Sequence, residues 1–523
     1  MGPARNDADE TKPSTTETST TDTSGSGATD TSGSGAADTS TEVATETPAD
    51  EATHATPSPP TETPPGPRGW PIVGNTLQFV RDPWGFYDEL ATYGDVVGYE
   101  IAGMDMVTVL HPDHVERILL TDSEDYRKTQ FDEFGVTFAD EGLLFSEGEQ
   151  WRAQRTIVQE AFTPDRIRRY GDSMVAAAQE AVADWPDGET VDLGERYSQL
   201  TLSILCRTLF DVEIDEHEQV VTRVAEALNE RADSRNLDAF FPSWVPTPRQ
   251  RRYERALADF DAMVDDLLED RAAAESATGR TPGNDESEAP TSDGSATPTG
   301  DDMLSILSTA EGPDGYVHSD RELRDQLLTF LFAGHDTTSL ALTYTSVLLA
   351  EHDDVRERLH AEWDDVLGDD DPSVEDVPHL EFTARVLTES LRLYPPAYVL
   401  FREAARDTEL GGYRIPEGTR LSVPAFRLHD DERFFDDPGT FDPDRWTEAF
   451  EATLPDYAYF PFGGGPRHCI GMRFARTELA LALPTVLRAV DLDLRSDPDP
   501  EISVAATARP ASPVRAHVRR RSE

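Results

Sequence analysis

The stretch from Leu327 to Ala350 constrains the fold most, because it is apolar on nearly every side yet carries Gly334-His335-Asp336-Thr337-Thr338 near its centre. A helix that is apolar all round must be covered all round, by lipid or by protein. Lipid is the poorer cover here, since ionisable side chains at mid-depth are expensive there. The stretch therefore predicts a long helix, Leu323–Leu349, running through the core of a large helical domain.

Periodic apolar positions predict further helices at Trp151–Phe162, Ser173–Val182, Gln199–Phe210, Ala256–Leu268, Asp353–Val366 and Phe382–Leu393, with a last one at about 471–490. Asp82-Pro83 supplies the cap and first-turn residues of an earlier helix. Two short strands, Val96–Ile101 and Met106–Leu110, turn around Gly103, and strand-like pieces fill Tyr398–Phe426. The expected fold class is mainly α with small β-sheets. Residues 1–66 are rich in Ser, Thr, Pro and Ala, with twelve acids against Arg5 and Lys12, a composition that cannot bury enough apolar surface to order itself. Residues 274–300 return to that composition and read as an exposed, disordered insertion, and 519–523 as a short basic tail. That leaves 67–518 as one domain.

The 523 residues carry a net charge of -56, from 102 acidic against 46 basic residues, and Lys12 and Lys128 are the only lysines. Such a surface repels phosphate backbones and anionic headgroups, which argues against nucleic-acid or membrane-surface partners at ordinary salt. Self-repulsion on this scale opposes compaction in dilute buffer and is relieved when salt shortens the screening length to ~3 Å at 1 M. A salt-adapted host is therefore expected. The acidic first segment has neither the apolar core of a signal peptide nor a membrane anchor, so a cytoplasmic protein is expected, and a monomer is expected as well.

Two cysteines exclude a disulfide scaffold and a cysteine-based zinc site. Cys206 ends the apolar run Leu200–Cys206 and reads as a small buried hydrophobe. Cys469 lies in Phe462-Gly463-Gly464-Gly465-Pro466-Arg467-His468-Cys469-Ile470-Gly471, just before a helix. A thiolate that binds iron needs its charge stabilised, water kept away and backbone that approaches closely. The glycines allow a tight turn, the helix start favours the thiolate, Phe462 can shield sulfur, Arg467 can meet an anion, and Gly471 leaves room.

The pattern Phe-x-x-Gly-x-Arg-x-Cys-x-Gly, met by Phe462, Gly465, Arg467, Cys469 and Gly471, resembles the haem-binding signature of the cytochrome P450 family. Further motifs resemble that family in its own order. Trp151 and Arg155, four apart on one helical face, imply contact with a haem propionate, with Arg402 a third candidate. Glu389 and Arg392, joined by Arg445 of Pro443-Asp444-Arg445-Trp446, imply a structural triad, with Trp446 departing from the usual aromatic. Ala333-Gly334-His335-Asp336-Thr337-Thr338 resembles the oxygen-side motif, where Gly334 clears space above the iron and Thr337 relays protons supplied through Asp336. His335 and His468 take variable positions and read as packing or polar contacts.

The resemblance implies haem b ligated by Cys469, dioxygen as co-substrate, and insertion of one oxygen atom into a C–H bond. No glycine fingerprint for flavin or nucleotide stands in the sequence, so electrons are expected from a separate ferredoxin or flavodoxin with its reductase. A small apolar substrate is implied, fatty acid, terpenoid or steroid-like, with a lean towards fatty acids. The walls are expected at Phe138, Phe240, Phe241, Phe330 and Val399, within segments that include Leu327–Ala333, Ala397–Phe401 and Val504–Ala508. A haem-thiolate peroxygenase or isomerase shares Cys469 but does not need Asp336 and Thr337. A haem sensor needs neither.

Overall fold

A computed structural model of the chain describes residues 63–129, 139–210, 218–233, 245–278 and 303–521. The central helix is one unbroken α-helix over Asp320–Glu351, starting ahead of the expected Leu323. The cause is a capping box: Ser319 Oγ accepts from the Glu322 N–H at 3.2 Å, and Glu322 Oε2 accepts from the Ser319 N–H at 2.8 Å. Apolar periodicity sees only buried faces and so misses a polar first turn. Leu328, Leu331, Leu342 and Val347 are buried along its length. Protein provides the cover, the Leu193–Leu205 helix on one side and the Glu381–Leu393 and Met472–Ala489 helices on others. Among the described residues no helix is long and apolar enough to cross a membrane.

Neighbouring helices start on equally local signals. Asp192 caps Leu193–Leu205 by accepting from the Gly194 and Glu195 N–H groups at 3.0 and 3.4 Å. Asp82 caps Pro83–Ala91 through the Gly85 N–H at 2.9 Å, with Pro83 in the first position. The Gln199–Phe210 expectation is corrected at both ends, since α-helix begins at Leu193 and widens into a π turn at Cys206–Phe210. The Ala256–Leu268 pattern is the middle of Pro248–Thr278. Residues 274–278, expected in the insertion, are the end of this helix, and the rest of 274–300 lies outside the described residues.

The strands form small separate sheets. Val96–Ile101 and Met104–Val109 make an antiparallel hairpin whose turn residues, Ala102 (φ 53°) and Gly103 (φ 83°), both have positive φ. Met104–Val109 pairs in parallel with Arg420–Pro424, which pairs antiparallel with Val399–Ala404. Tyr126–Lys128 joins the far edge and sets Lys128 opposite Arg402. A three-stranded sheet orders Thr190–Asp192, Arg515–Arg520 and Val490–Leu494. It takes in Arg519 and Arg520, which composition alone had placed in a tail; Arg519 pairs in register with Asp491. At the other end, the Gly98 N–H donates to the Pro65 carbonyl at 2.8 Å, so packed chain begins before residue 67.

Candidate active site

The Cys469 loop is closed by its own backbone. The Cys469 N–H donates to the Phe462 carbonyl at 2.9 Å, and the Gly463 N–H to Phe460 at 2.9 Å. Gly463 and Gly465 adopt positive φ, 70° and 63°. Gly465 is also sterically required, because a Cβ there would lie 1.7 Å from the Leu119 carbonyl oxygen. A Cβ at Gly471 would meet the Phe162 ring at an ordinary 3.7 Å, so the packing around it does not itself demand glycine. Phe462 is half-buried, with the Arg476 guanidinium 5.3 Å from its ring centroid.

The Cys469 thiol is solvent-accessible, yet protein surrounds it closely enough that burial pushes its pKa up, against the opposing pull of the Gly471 N–H and Arg155. Cys206 differs: it is buried in the core, with its thiol pushed up to about 12.

A cluster of cations adjoins the loop. Arg155 donates to the His468 carbonyl at 2.9 Å. Arg467 donates to the Ser146 carbonyl at 2.7 Å, pairs with Glu147 at 2.6 Å and lies 4.5 Å above the Trp151 ring. Arg402 is buried, donating to the Phe401 carbonyl at 2.8 Å. Burial, then Arg402 and Arg467, push the Lys128 ammonium well below its ordinary range. Burial, then Arg467, bring Arg402 down to about 10. In all three of Lys128, Arg402 and Arg467 the opposing influence is the same Glu147 carboxylate. Cations crowded in this way are completed by an anion, and the two carboxylates of a haem edge fit that requirement.

On the Asp320–Glu351 helix, Ala333 is exposed and Gly334 and Thr337 half-buried, within a run whose other members are buried. These three lie on one side of the helix. Thr337 Oγ donates to the Ala333 carbonyl at 2.7 Å, bonding its own helix. A Cβ at Gly334 would lie 2.8 Å from a Leu205 methyl, so the glycine also lets that side chain approach. Asp336 is buried and turned away from Thr337, its oxygens accepting from Thr507 at 2.7 Å and Arg509 at 2.5 Å. His335 is buried against Ser198, 2.7 Å away. Phe330, expected as a pocket wall, is buried, with its ring 5.9 Å from that of Phe162, which in turn lies 6.1 Å from Phe474. Val399 is half-buried, and Phe138, Phe240 and Phe241 lie outside the described residues. Two charged surface clefts, of about 890 and 400 Å³ around Arg433 and Arg521, involve none of these side chains.

Glu389, Arg392 and Arg445 do come together. Glu389 is fully buried and takes Arg392 Nε at 2.9 Å and Nη2 at 2.8 Å, Arg445 Nε at 3.0 Å and the Asp442 N–H at 3.1 Å. The fifth donor is the Trp446 indole N–H, at 2.8 Å. The residue that departs from the family pattern thus completes the network.

Residues 64–516 match the cytochrome P450 family. The chain belongs to that family. It is 34% identical over 425 residues to cyclooctat-9-en-7-ol 5-monooxygenase of Streptomyces melanosporofaciens, covering 80% of this chain and 87% of that one. It is 30% identical over 462 residues to pentalenene oxygenase of Streptomyces avermitilis, covering 87% and 96%. Retinoic acid-bound cyanobacterial CYP120A1 superposes with a TM-score of 0.75 at 24% identity, over 88% of this chain and 99% of that one, a likeness of fold. This P450 is a monooxygenase that uses haem b with a cysteine axial ligand and dioxygen.

Four residues near these sites escaped the sequence reading. Lys128 carried a usable signal, as one of two lysines in 523 residues. Glu478 did too, as a carboxyl within the apolar face of the Met472–Ala489 helix; it is buried, and burial holds it well above the usual carboxylate range. Thr507 fell within the Val504–Ala508 segment expected beside the substrate, though not as a partner of Asp336, and Arg509 gave no signal.

Proposed function

We propose that this P450 hydroxylates an apolar, terpenoid-like hydrocarbon, with Cys469 as the axial thiolate. The carrying observation is an exposed Cys469 in a glycine loop just ahead of the Met472–Ala489 helix, with Arg155 against that loop and Arg467 within it, in a domain whose central helix leaves Ala333 exposed and Thr337 half-buried among buried neighbours. When bound, the haem supplies the oxygen activation. This chain's residues do the rest. Trp151, Arg155, Arg402 and Arg467, joined by Lys128, hold the propionates. Gly465 and Gly471 shape the loop and Phe462 screens the sulfur. Thr337, fed by Asp336, presents a proton on the oxygen side, and Glu389, Arg392 and Arg445 keep the cysteine-side core in register.

The terpenoid reading draws on the two Streptomyces relatives, whose names specify such substrates, in preference to fatty acids. Electrons come from a ferredoxin or flavodoxin with its reductase. Exposed Arg473 and Arg476, just after the cysteine loop, give a docking acid something to meet despite the overall charge of -56. The acidic excess suits a cytoplasm rich in salt.

The reduced protein with carbon monoxide tests the ligand: a thiolate-type band is expected, absent in Cys469→Ser, and an imidazole-type band in the wild type would overturn the assignment. Terpene and fatty-acid panels, scored by the substrate-induced spin-state shift and by oxygen- and reductant-dependent product, test the substrate. Thr337→Ala should leave binding intact and divert electrons to peroxide.

A further inference from the structure

The Asp336 carboxylate is held by one element, the hairpin of Ile502–Val504 and Ala508–Pro510. Thr507 donates to Oδ2 at 2.7 Å and Arg509 Nη2 to Oδ1 at 2.5 Å. Asp336 and Thr507 are buried. The hairpin is itself seated from two directions. Tyr344, on the same long helix as Asp336, donates to the Ala508 carbonyl at 3.1 Å, while Tyr398 donates to Ala505 at 3.1 Å and the Ala508 N–H to Pro396 at 3.0 Å. Ala506 at the tip is exposed.

A carboxylate with both oxygens committed to the hairpin has neither directed at Thr337. Thr337 for its part spends its hydroxyl hydrogen on Ala333. The arrangement as it stands is therefore proton-silent, and delivery requires Asp336 to leave the hairpin. The grip is built to be reversible. Arg509 holds the acid through a single nitrogen, not the two-pronged fork; its Nε is buried without a partner, and its side chain is 29% exposed, which screens the pair.

We propose that Thr507 and Arg509 are positioning residues that gate proton delivery, keeping Asp336 off Thr337 while the hairpin is seated and releasing it when the tip is displaced. The inference rests on the reading above, in which Asp336 passes protons and the 504–508 segment borders the substrate. Only a proton moves, from solvent to Asp336 and on towards Thr337. By linkage, whatever unseats the hairpin favours the released acid, and releasing the acid loosens the hairpin.

The test uses the haem-loaded full chain with a ferredoxin and reductase, without substrate. Two quantities are read: amide hydrogen exchange across 502–510, which needs no turnover, and oxygen consumption. Arg509→Gln, and the near-isosteric Thr507→Val in case the first folds poorly, should each speed hairpin exchange and raise substrate-free oxygen consumption roughly tenfold, the factor that ~1.4 kcal/mol produces. The rise in consumption should vanish in Asp336→Asn/Arg509→Gln, while fast exchange persists. Wild-type exchange and consumption in both hairpin variants would sink the gate. If Asp336→Asn alone leaves substrate-free oxygen consumption unchanged, the proton-donor reading fails first; if Asp336→Asn lowers it while the hairpin variants are silent, only the gate is lost.

Discussion

Replacing Trp446 by Phe keeps an aromatic ring where the family expects one, and on sequence grounds it should be neutral. The structure predicts otherwise. The indole N–H is a donor to Glu389 Oε2 at 2.8 Å, in a network where the Glu389 and Arg392 side chains are fully buried. A hydrogen bond to a buried charge contributes about 1.5–3 kcal/mol, and its loss here leaves a carboxylate oxygen short of a donor where water does not reach. The smaller ring also opens space beside Tyr459 and Phe450, whose centroids lie 4.7 and 5.8 Å away. That void adds about 1 kcal/mol. Together the variant should lose ~3 kcal/mol. The measurement is denaturant unfolding of haem-loaded protein, followed by helix signal and haem absorbance together. A cycle with Glu389→Gln separates the two parts, because the void remains in that background while the charged acceptor is gone. A cost below ~1 kcal/mol, or one unchanged by Glu389→Gln, would refute the claim that the indole N–H completes the network.

Other sites give independent checks. His429 is buried, accepts the Phe460 N–H at 2.9 Å, and is pushed down to about 3 by burial and then by Arg392. Because the unfolded chain takes up that proton near 6.5 and the folded one does not, stability falls as pH drops below 6.5; His429→Gln should remove about 2 kcal/mol of the loss between pH 6.5 and about 4.5. Lys128→Gln should raise the melting temperature of haem-free protein, by relieving repulsion from Arg402 and Arg467, yet speed haem loss to an acceptor protein several-fold; slower haem loss would contradict the propionate role. Raising salt from about 0.1 M to 1 M should raise the thermal midpoint, since 102 acidic residues against 46 basic ones leave a net charge of -56 that repels itself. A flat response would remove the case for salt adaptation.

The central helix and the cysteine loop were legible because each is a local statement. An apolar run with a polar insert can be satisfied only by a buried helix, and glycines flanking a cysteine before a helix encode their own turn. Glu389 and Arg392 were legible for a similar reason, three residues apart on one helix. What composition misplaced lies at edges. The capping box at Ser319 is polar and the helical 274–278 has no large apolar side chain, so they look like loop, while Arg519 and Arg520 look like tail until strand pairing claims them.

Asp336 shows the deeper limit. Its identity and its position in the helix are local facts, and both pointed to the oxygen side. Its direction is not local. Thr507 and Arg509 arrive from more than 170 residues away, at sequence separations of 171 and 173, on a hairpin whose own anchors are Tyr344 and Tyr398. Neighbouring residues on a helix point about 100° apart, so an acid next to Thr337 could serve Thr337 or face elsewhere with equal ease. The partner decides, and here the partner is the hairpin. The same reasoning applies to Lys128, whose short strand says nothing of Arg402 until the sheet sets them opposite each other. In both cases the chemistry of the site is written in residue types, but which groups are held, released or crowded together is set by strand register across the chain.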